Sequence, residues 1–129
     1  MQCIEDAVGG VINVSGPTTP LSEHLAMART VAGHTGPLIA ADNRWLVAHD
    51  VQEWAGPRSL PLWLHSPGWE GFAARSTHAA EAAGLVCRPL RQTLADVLAW
   101  EGAQGFDRAR GAGLSIEEER LLIHSARER

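Results

Sequence analysis

VINVSGPTTPLSEHL, Val11 to Leu25, decides how the rest of the chain is read. Val11, Ile12 and Val14 form a short β-branched run, the pattern of a strand covered on both faces. Ser15-Gly16-Pro17 ends it as a turn. A helix then opens. Thr19 can cap it with Pro20 in the first helical position, or Ser22 can cap it with Leu21 just outside. Ser22 is preferred, because Leu25, Ala28, Val31 and Ala32 follow at helical spacing, and Gly33 stops the run. Only ten residues precede Val11. Of these, Gln2 to Val8 reads as a helix stopped by Gly9-Gly10. So apolar a strand needs neighbours that this end of the chain does not provide.

Working outward, Pro37 to Ala41 (PLIAA) predicts a second short strand. Asp42 or Asn43 can cap a helix from Arg44 to about His49, with Leu46 and Val47 facing inward beside Trp45. Gln52 to Gly71 reads as irregular. It holds Pro57, Pro61 and Pro67 together with Trp54, Trp63 and Trp69. So long a loop in a small domain is functional or disordered, and its tryptophans argue against disorder. Phe72 to Arg75 predicts a short strand. Ser76 predicts a cap for the helix that Gly84 ends, and Leu85 to Cys87 is brief and extended. Pro89 leads into the clearest amphipathic helix, LRQTLADVLAWE, with Leu90, Leu94, Val97 and Leu98 on one stripe. A polar linker over 102–114 contains Phe106. Ser115 and Glu118 form a capping box for a last helix over 115–129. Its first turn holds Glu117, Glu118 and Glu119 and its end holds Arg127 and Arg129, as the helix dipole favours.

Composition excludes several classes. With 129 residues, 45% hydrophobic and 20% charged, the chain is long enough for one modest globular domain. A net charge of −4 and scattered arginines give no basic face for nucleic acid. There is no apolar run long enough for a membrane span, and MQCIEDAVGG lacks the features of a signal peptide. Cys3 and Cys87 are too few for a disulfide framework, which implies buried or half-buried thiols in a reducing cytoplasm. All eleven basic residues are arginine, and tyrosine is absent. No mechanism that needs a tyrosine acid or a lysine amine can come from these residues.

The chemical motifs fail one by one. Gly9-Gly10 precedes a strand, the reverse of the order in a dinucleotide fingerprint, and Gly111-Ala112-Gly113 has no strand before it. Without lysine there is no Walker motif. Ser15 sits where a nucleophile elbow would place its serine, but position 13 is Asn and not Gly. Cys87 beside Arg88 reads as a packed strand residue and not as a reactive thiol. The six histidines, at 24, 34, 49, 65, 78 and 124, show no metal-ligand spacing. Neither Glu5-Asp6 nor Glu117 to Glu119 reads as an acid–base pair. What remains is LPLWL, Leu60 to Leu64. Trp63 there is large enough either to wall a pocket or to plug a core edge.

Taken in order, VINVSGP (Val11–Pro17), PLS (Pro20–Ser22), LPLWL (Leu60–Leu64), AAGL (Ala82–Leu85) and RPLRQTLADVLAWE (Arg88–Glu101) resemble one family. It is the C-terminal part of extended short-chain dehydrogenase/reductases, the NAD-dependent epimerase/dehydratase family. The resemblance runs over nearly the whole chain, and the RPL-x-x-T-L-x-D-x-L-A-W pattern is its most specific part. It implies an α/β, α+β-like, mostly helical substrate-binding lobe with a few short strands. Residues 1–16 would be the remnant edge of a Rossmann-type sheet, with 1–129 forming a single lobe. The family's Gly-rich loop and Tyr-x-x-x-Lys pair would lie upstream, so no catalytic residue carries over and NAD(P) belongs to the full-length family. Trp63 and Leu64 would form part of the substrate wall. Arg88 would touch substrate or brace the last helices. The family often has Asp where Ser76 stands, which keeps the cap and loses a charge. The implied partners are a small-molecule substrate and either a separate Rossmann-type domain or a second copy. Two rivals stand beside this expectation: a free-standing ligand-binding or interaction module, and a self-sufficient enzyme using histidines and acids.

Overall fold

A computed structural model describes Gly9 to Glu128. The helix expected over Gln2–Val8, with Cys3, Glu5 and Asp6, lies outside the described residues, as does Arg129. Among the described residues, five helices and one pair of very short strands follow in chain order. They are α1 (Leu21–Val31), α2 (Asn43–Ala48), β1 (Gln52–Glu53), β2 (Ser59–Leu60), α3 (His78–Ala82), α4 (Leu90–Gln104) and α5 (Ile116–Arg127). The protein is therefore mostly helical with a small parallel sheet, a coarse α/β or α+β class. The chain divides into two compact units, one from Met1–His34 with Glu70–Trp100, the other from Thr35–Trp69 with Glu101–Arg129.

In the first unit, Val11 to Val14 is not a strand. Val11 is 98% exposed and Val14 71% exposed, and neither joins a ladder among the described residues. β-branched residues favour extended backbone, but a strand exists only where a neighbour takes up its N–H and C=O groups. Of the sheet edge expected over residues 1–16, the described part, 9–16, forms no ladder. α1 begins one residue before the expected cap. Pro20 holds the N-cap position without a side-chain bond. Its carbonyl accepts from Glu23 N and His24 N, both at 3.0 Å. Ser22 lies inside the helix, and the Thr19 hydroxyl donates to Pro17 O at 3.3 Å instead of capping. Pro20 itself is extended, at ψ 140, so the helical backbone starts at Leu21. None of α1 is buried.

Phe72 to Arg75 is a turn, closed by Ala74 N donating to Gly71 O at 3.0 Å, and not a strand. Thr77 takes the N-cap position of α3, and Ser76 Oγ accepts from His78 N at 3.4 Å. At the other end, Leu85 N donates to Ala80 O and Gly84 N to Glu81 O, at 2.8 and 2.9 Å. This is a Schellman stop with Gly84 at φ 90. Cys87 is exposed, unlike the packed thiol expected, and donates weakly to Ser15 O at 3.6 Å. Along α4, Leu90, Leu94 and Leu98 are half-buried, while Val97 is exposed. The helix runs on to Gln104, into the stretch expected as linker.

The second unit holds a core of Leu46, Val51 and Leu122, with Ala41, Trp45, Leu60, Trp63 and Leu114 against it. The strand expected at Pro37 to Ala41 is absent. Leu38 and Ile39 are exposed, and only Ala41 reaches the core. Asp42 caps α2 as expected, its Oδ1 accepting from Trp45 N at 2.8 Å. Leu46 faces in, but Val47 faces out at 50% exposure, because a helix of six residues has one inward stripe.

α2 also ends in a Schellman pair, Val51 N to Leu46 O and Asp50 N to Val47 O, both 3.1 Å. The hydrophobic contact of that motif is Val51 on Leu46, two of the three core residues. Its left-handed position is Asp50, at φ 56. A side chain there is strained, and a carboxylate opposes the negative helix end. Asp50→Gly is expected to stabilise the protein by about 0.5–1 kcal/mol, read as a higher urea midpoint with unchanged slope.

The loop expected to be irregular contains the sheet. Gln52 pairs with Ser59 and Glu53 with Leu60, in parallel. Parallel neighbours ordinarily need a crossover of a dozen or more residues. Here the chain turns back within a few residues through positive φ at Trp54, Gly56 and Arg58. Ser59, fully buried, fastens this turn. Its hydroxyl donates to Gly56 O at 2.7 Å and accepts from Gly113 N at 3.0 Å. Pro57 and Gly113 form an isolated parallel bridge beside it. The capping box of α5 is formed as expected, with Ser115 Oγ accepting from Glu118 N and Glu118 Oε2 accepting from Ser115 N.

Candidate functional site

Within the second unit, the residues between α4 and α5 fold around a cleft of about 510 Å³, a volume in the range of small-molecule sites. Gly105, at φ 87, ends α4 and turns the chain. Phe106 then lies against Gly102, its ring 3.6 Å from where a Cβ would stand. On the far side α5 begins, held by its capping box, and Ile116 faces the cleft. Phe106 and Ile116 are both more than half exposed, so they offer uncovered apolar surface.

Charged groups of both signs line the cleft. Arg108 Nη2 and Arg110 Nη2 donate to the two oxygens of a single carboxylate, Glu101, at 2.7 and 2.9 Å. Two cations meet at one anion, and Asp107 stands just before them in sequence, so formal charge on this wall balances. Among the described residues Arg110 uses Nη2 alone, which leaves the rest of its five-donor fork. The opposite wall is internally satisfied. Arg58 donates through Nε and Nη2 to His49 O, at 3.2 and 3.0 Å, and through Nη1 to Glu118 Oε1 at 3.2 Å. The Ser115 amide and hydroxyl, and then Arg58, hold the Glu118 carboxyl below its usual range. Glu117 and Asp107 also line the cleft. Such a site can seat an apolar body against Phe106 and Ile116 and an anionic head on Arg110.

The residues singled out from sequence lie elsewhere. Trp63 packs against the core, and its indole N–H donates to Asn43 Oδ1 at 3.0 Å. Its ring stacks on His65, centroids 4.4 Å apart and 8° from parallel. Leu64 is half-buried beside Trp63, and neither lines the cleft. Arg88 belongs to the first unit, where it pairs with Asp96 of α4. Both partners are largely exposed, so the pair contributes little stability. Phe106, Arg108 and Arg110 lie inside the stretch that the sequence reads as a polar linker. Their signal was one aromatic residue followed by two arginines in a stretch otherwise poor in both.

Next to Trp63, Glu53 Oε2 accepts from His65 N at 2.9 Å and Ser66 N at 3.1 Å, and lies 2.8 Å from His65 Nδ1. The His65 amide, then Ser66 and the imidazole charge, lower the Glu53 carboxyl from 4.5 to about 2. The sign follows from proton binding. Below 4.5 the unfolded chain takes up a proton that folded Glu53 refuses until about 2, so acid favours unfolding across that window. Tryptophan fluorescence is expected to report loss of stability as pH falls through it. Glu53→Gln should flatten that slope.

Among the described residues, no group of three or more His, Cys, Asp or Glu side chains could hold a metal ion, and no helix is long and apolar enough to cross a membrane. No family model matches the chain, and no curated protein or solved structure matches it.

Proposed function

We propose that this chain is a small-ligand-binding lobe whose ligand carries an anionic head on an apolar body. The observation that carries this reading is the cleft itself. Two guanidinium groups converge on one carboxylate beside exposed Phe106 and Ile116. Carboxylates and phosphates match the guanidinium fork, and the apolar wall supplies the rest of the contact.

The resemblance to the C-terminal part of extended short-chain dehydrogenase/reductases gives this lobe a setting. There it would be the substrate lobe of an NAD(P)-dependent oxidoreductase or epimerase in the cytoplasm, unable to carry out that reaction by itself. NAD(P) would be held by a Rossmann-type domain on another stretch of chain or another protein, and hydride transfer would be the cofactor's chemistry. The uncovered Val11 to Val14 supports an unfinished sheet edge awaiting such a neighbour. So does an α1 with no buried residue. In this reading Trp63 and Leu64 stiffen the lobe and Arg88 serves as a brace. The rival is a free-standing module that uses the same cleft.

Calorimetric titration tests the reading with benzoate, benzyl alcohol and NADH. Benzoate is expected to bind, neutral benzyl alcohol to bind at least about tenfold more weakly, and Arg110→Ala to remove the difference. Equal binding of the two, or binding indifferent to Arg110→Ala, would overturn the anion site. Tight NADH binding by the chain alone would overturn the lobe assignment.

A further inference from the structure

Outside the cleft, the second unit carries an arrangement that the ligand site does not use. His49 follows α2, and its Nδ1 lies 2.8 Å from Trp45 O. Its Nε2 lies 3.2 Å from Ser125 Oγ on α5. A carbonyl oxygen can only accept, so Nδ1 carries the proton of that bond. In the neutral imidazole the lone pair then sits on Nε2, and the Ser125 hydroxyl must donate to it. The ring is held a second way, stacked on Trp45 with centroids 3.9 Å apart. Serine, imidazole and a fixed acceptor behind the imidazole stand in the order in which a nucleophile, its base and the group orienting that base are arranged. The carbonyl of Trp45 fills the place a carboxylate takes in the familiar triads.

Ser125 is well placed for this. Within a helix a serine hydroxyl commonly turns back to the carbonyl one turn earlier, but this one is given to His49. Glu118, Leu122 and Ser125 share one face of α5, and the first two are fixed by Arg58 and by the core. The serine is therefore presented by a helix anchored a turn below it. Ser125 and His49 are half-buried, within reach of a small reagent.

We propose that Ser125 is a nucleophile activated by His49, able to accept an acyl group from a small ester. Ser125 Oγ would form a bond to the ester carbonyl carbon as its proton passes to His49 Nε2. The carbon–alkoxy bond then breaks, and the departing alkoxide takes that proton and leaves as the alcohol. Water attacks the acyl-serine in turn, giving its proton through His49 back to Ser125 and releasing the carboxylic acid.

The test treats the purified full chain with diisopropyl fluorophosphate and, separately, with p-nitrophenyl acetate, and maps the adduct by peptide mass spectrometry. The expected result is one adduct, on Ser125. It should be absent in Ser125→Ala and form at least about tenfold more slowly in His49→Gln. Buried Ser59 and capping Ser115 are internal controls that should stay unmodified. No adduct on Ser125, or equal rates in wild type and His49→Gln, would overturn the proposal. If His49→Gln fails to fold, nitrogen-15 histidine spectra of the wild type decide. A proton on Nδ1 and a lone pair on Nε2 support the assignment, and the opposite tautomer overturns it.

Discussion

Leu122→Ala is expected to unfold the second unit. Leu122 is one of only three buried hydrophobic residues in that core, and it alone comes from α5. Cutting leucine to alanine in a packed interior costs about 2–5 kcal/mol, part lost transfer free energy and part cavity. Complete domains are stable by only about 5–15 kcal/mol, and a core this small sits at the low end. The change would also free the helix that supplies Glu118 to Arg58 and Ser125 to His49. Urea titration followed by tryptophan fluorescence reads the loss, because Trp45 and Trp63 both pack on this core. Leu121→Ala is the control. Leu121 is next in sequence but 62% exposed, so its loss should stay within about 0.5 kcal/mol. Similar midpoints for the two variants would show that Leu46 and Val51 hold the unit without Leu122.

Ser59→Ala is expected to cost about 1–3 kcal/mol, the range for stripping a buried group of its partner. The hydroxyl is enclosed and has two bonds, one given to Gly56 O and one taken from Gly113 N. Alanine removes both and fills the space no better. Gly113 N would keep only its 3.3 Å bond to Gly56 O, and Ser59 N already donates to Gly113 O at 3.3 Å. Gly113 and Pro57 line the cleft, so the same change should weaken benzoate binding through position and not through charge. Ser59→Thr keeps the hydroxyl and adds a methyl group that the enclosed site must absorb, so its loss separates packing from hydrogen bonding. A Ser59→Ala chain with unchanged urea midpoint and unchanged binding would show that the Pro57–Gly113 bridge suffices.

Signals carried by a few consecutive residues were legible. Asp42 and the Ser115–Glu118 box were readable because a cap is made by a side chain and amides two or three residues away. Gly33 and Gly84 stop their helices for the same local reason. The apolar runs Val11–Val14 and Pro37–Ala41 form no strands because strand propensity describes a fit to neighbours, and among the described residues neither run has a ladder partner. The strands that do form carry no propensity signal. They pair two residues each and depend on left-handed backbone at Trp54 and Arg58, which neither residue type advertises. Of the site, Trp63 stood out by size, but its place against Leu46, Val51 and Leu122 is tertiary. The cleft arginines converge on Glu101 through the bend after α4, a geometry no spacing rule encodes.

The unit that holds both the cleft and the Ser125–His49 pair is assembled from two stretches, Thr35–Trp69 and Glu101–Arg129. Everything between them is, for that unit, a loop to be closed. Closing it costs entropy that grows only with the logarithm of its length, about 0.6 kcal/mol for each doubling. The penalty is thus nearly indifferent to what occupies Glu70–Trp100. The rate is not, because Leu46 cannot meet Leu122 until the whole span has been searched. The second unit should therefore tolerate changes of length between its two stretches at little cost in stability, with the effect falling on its folding rate.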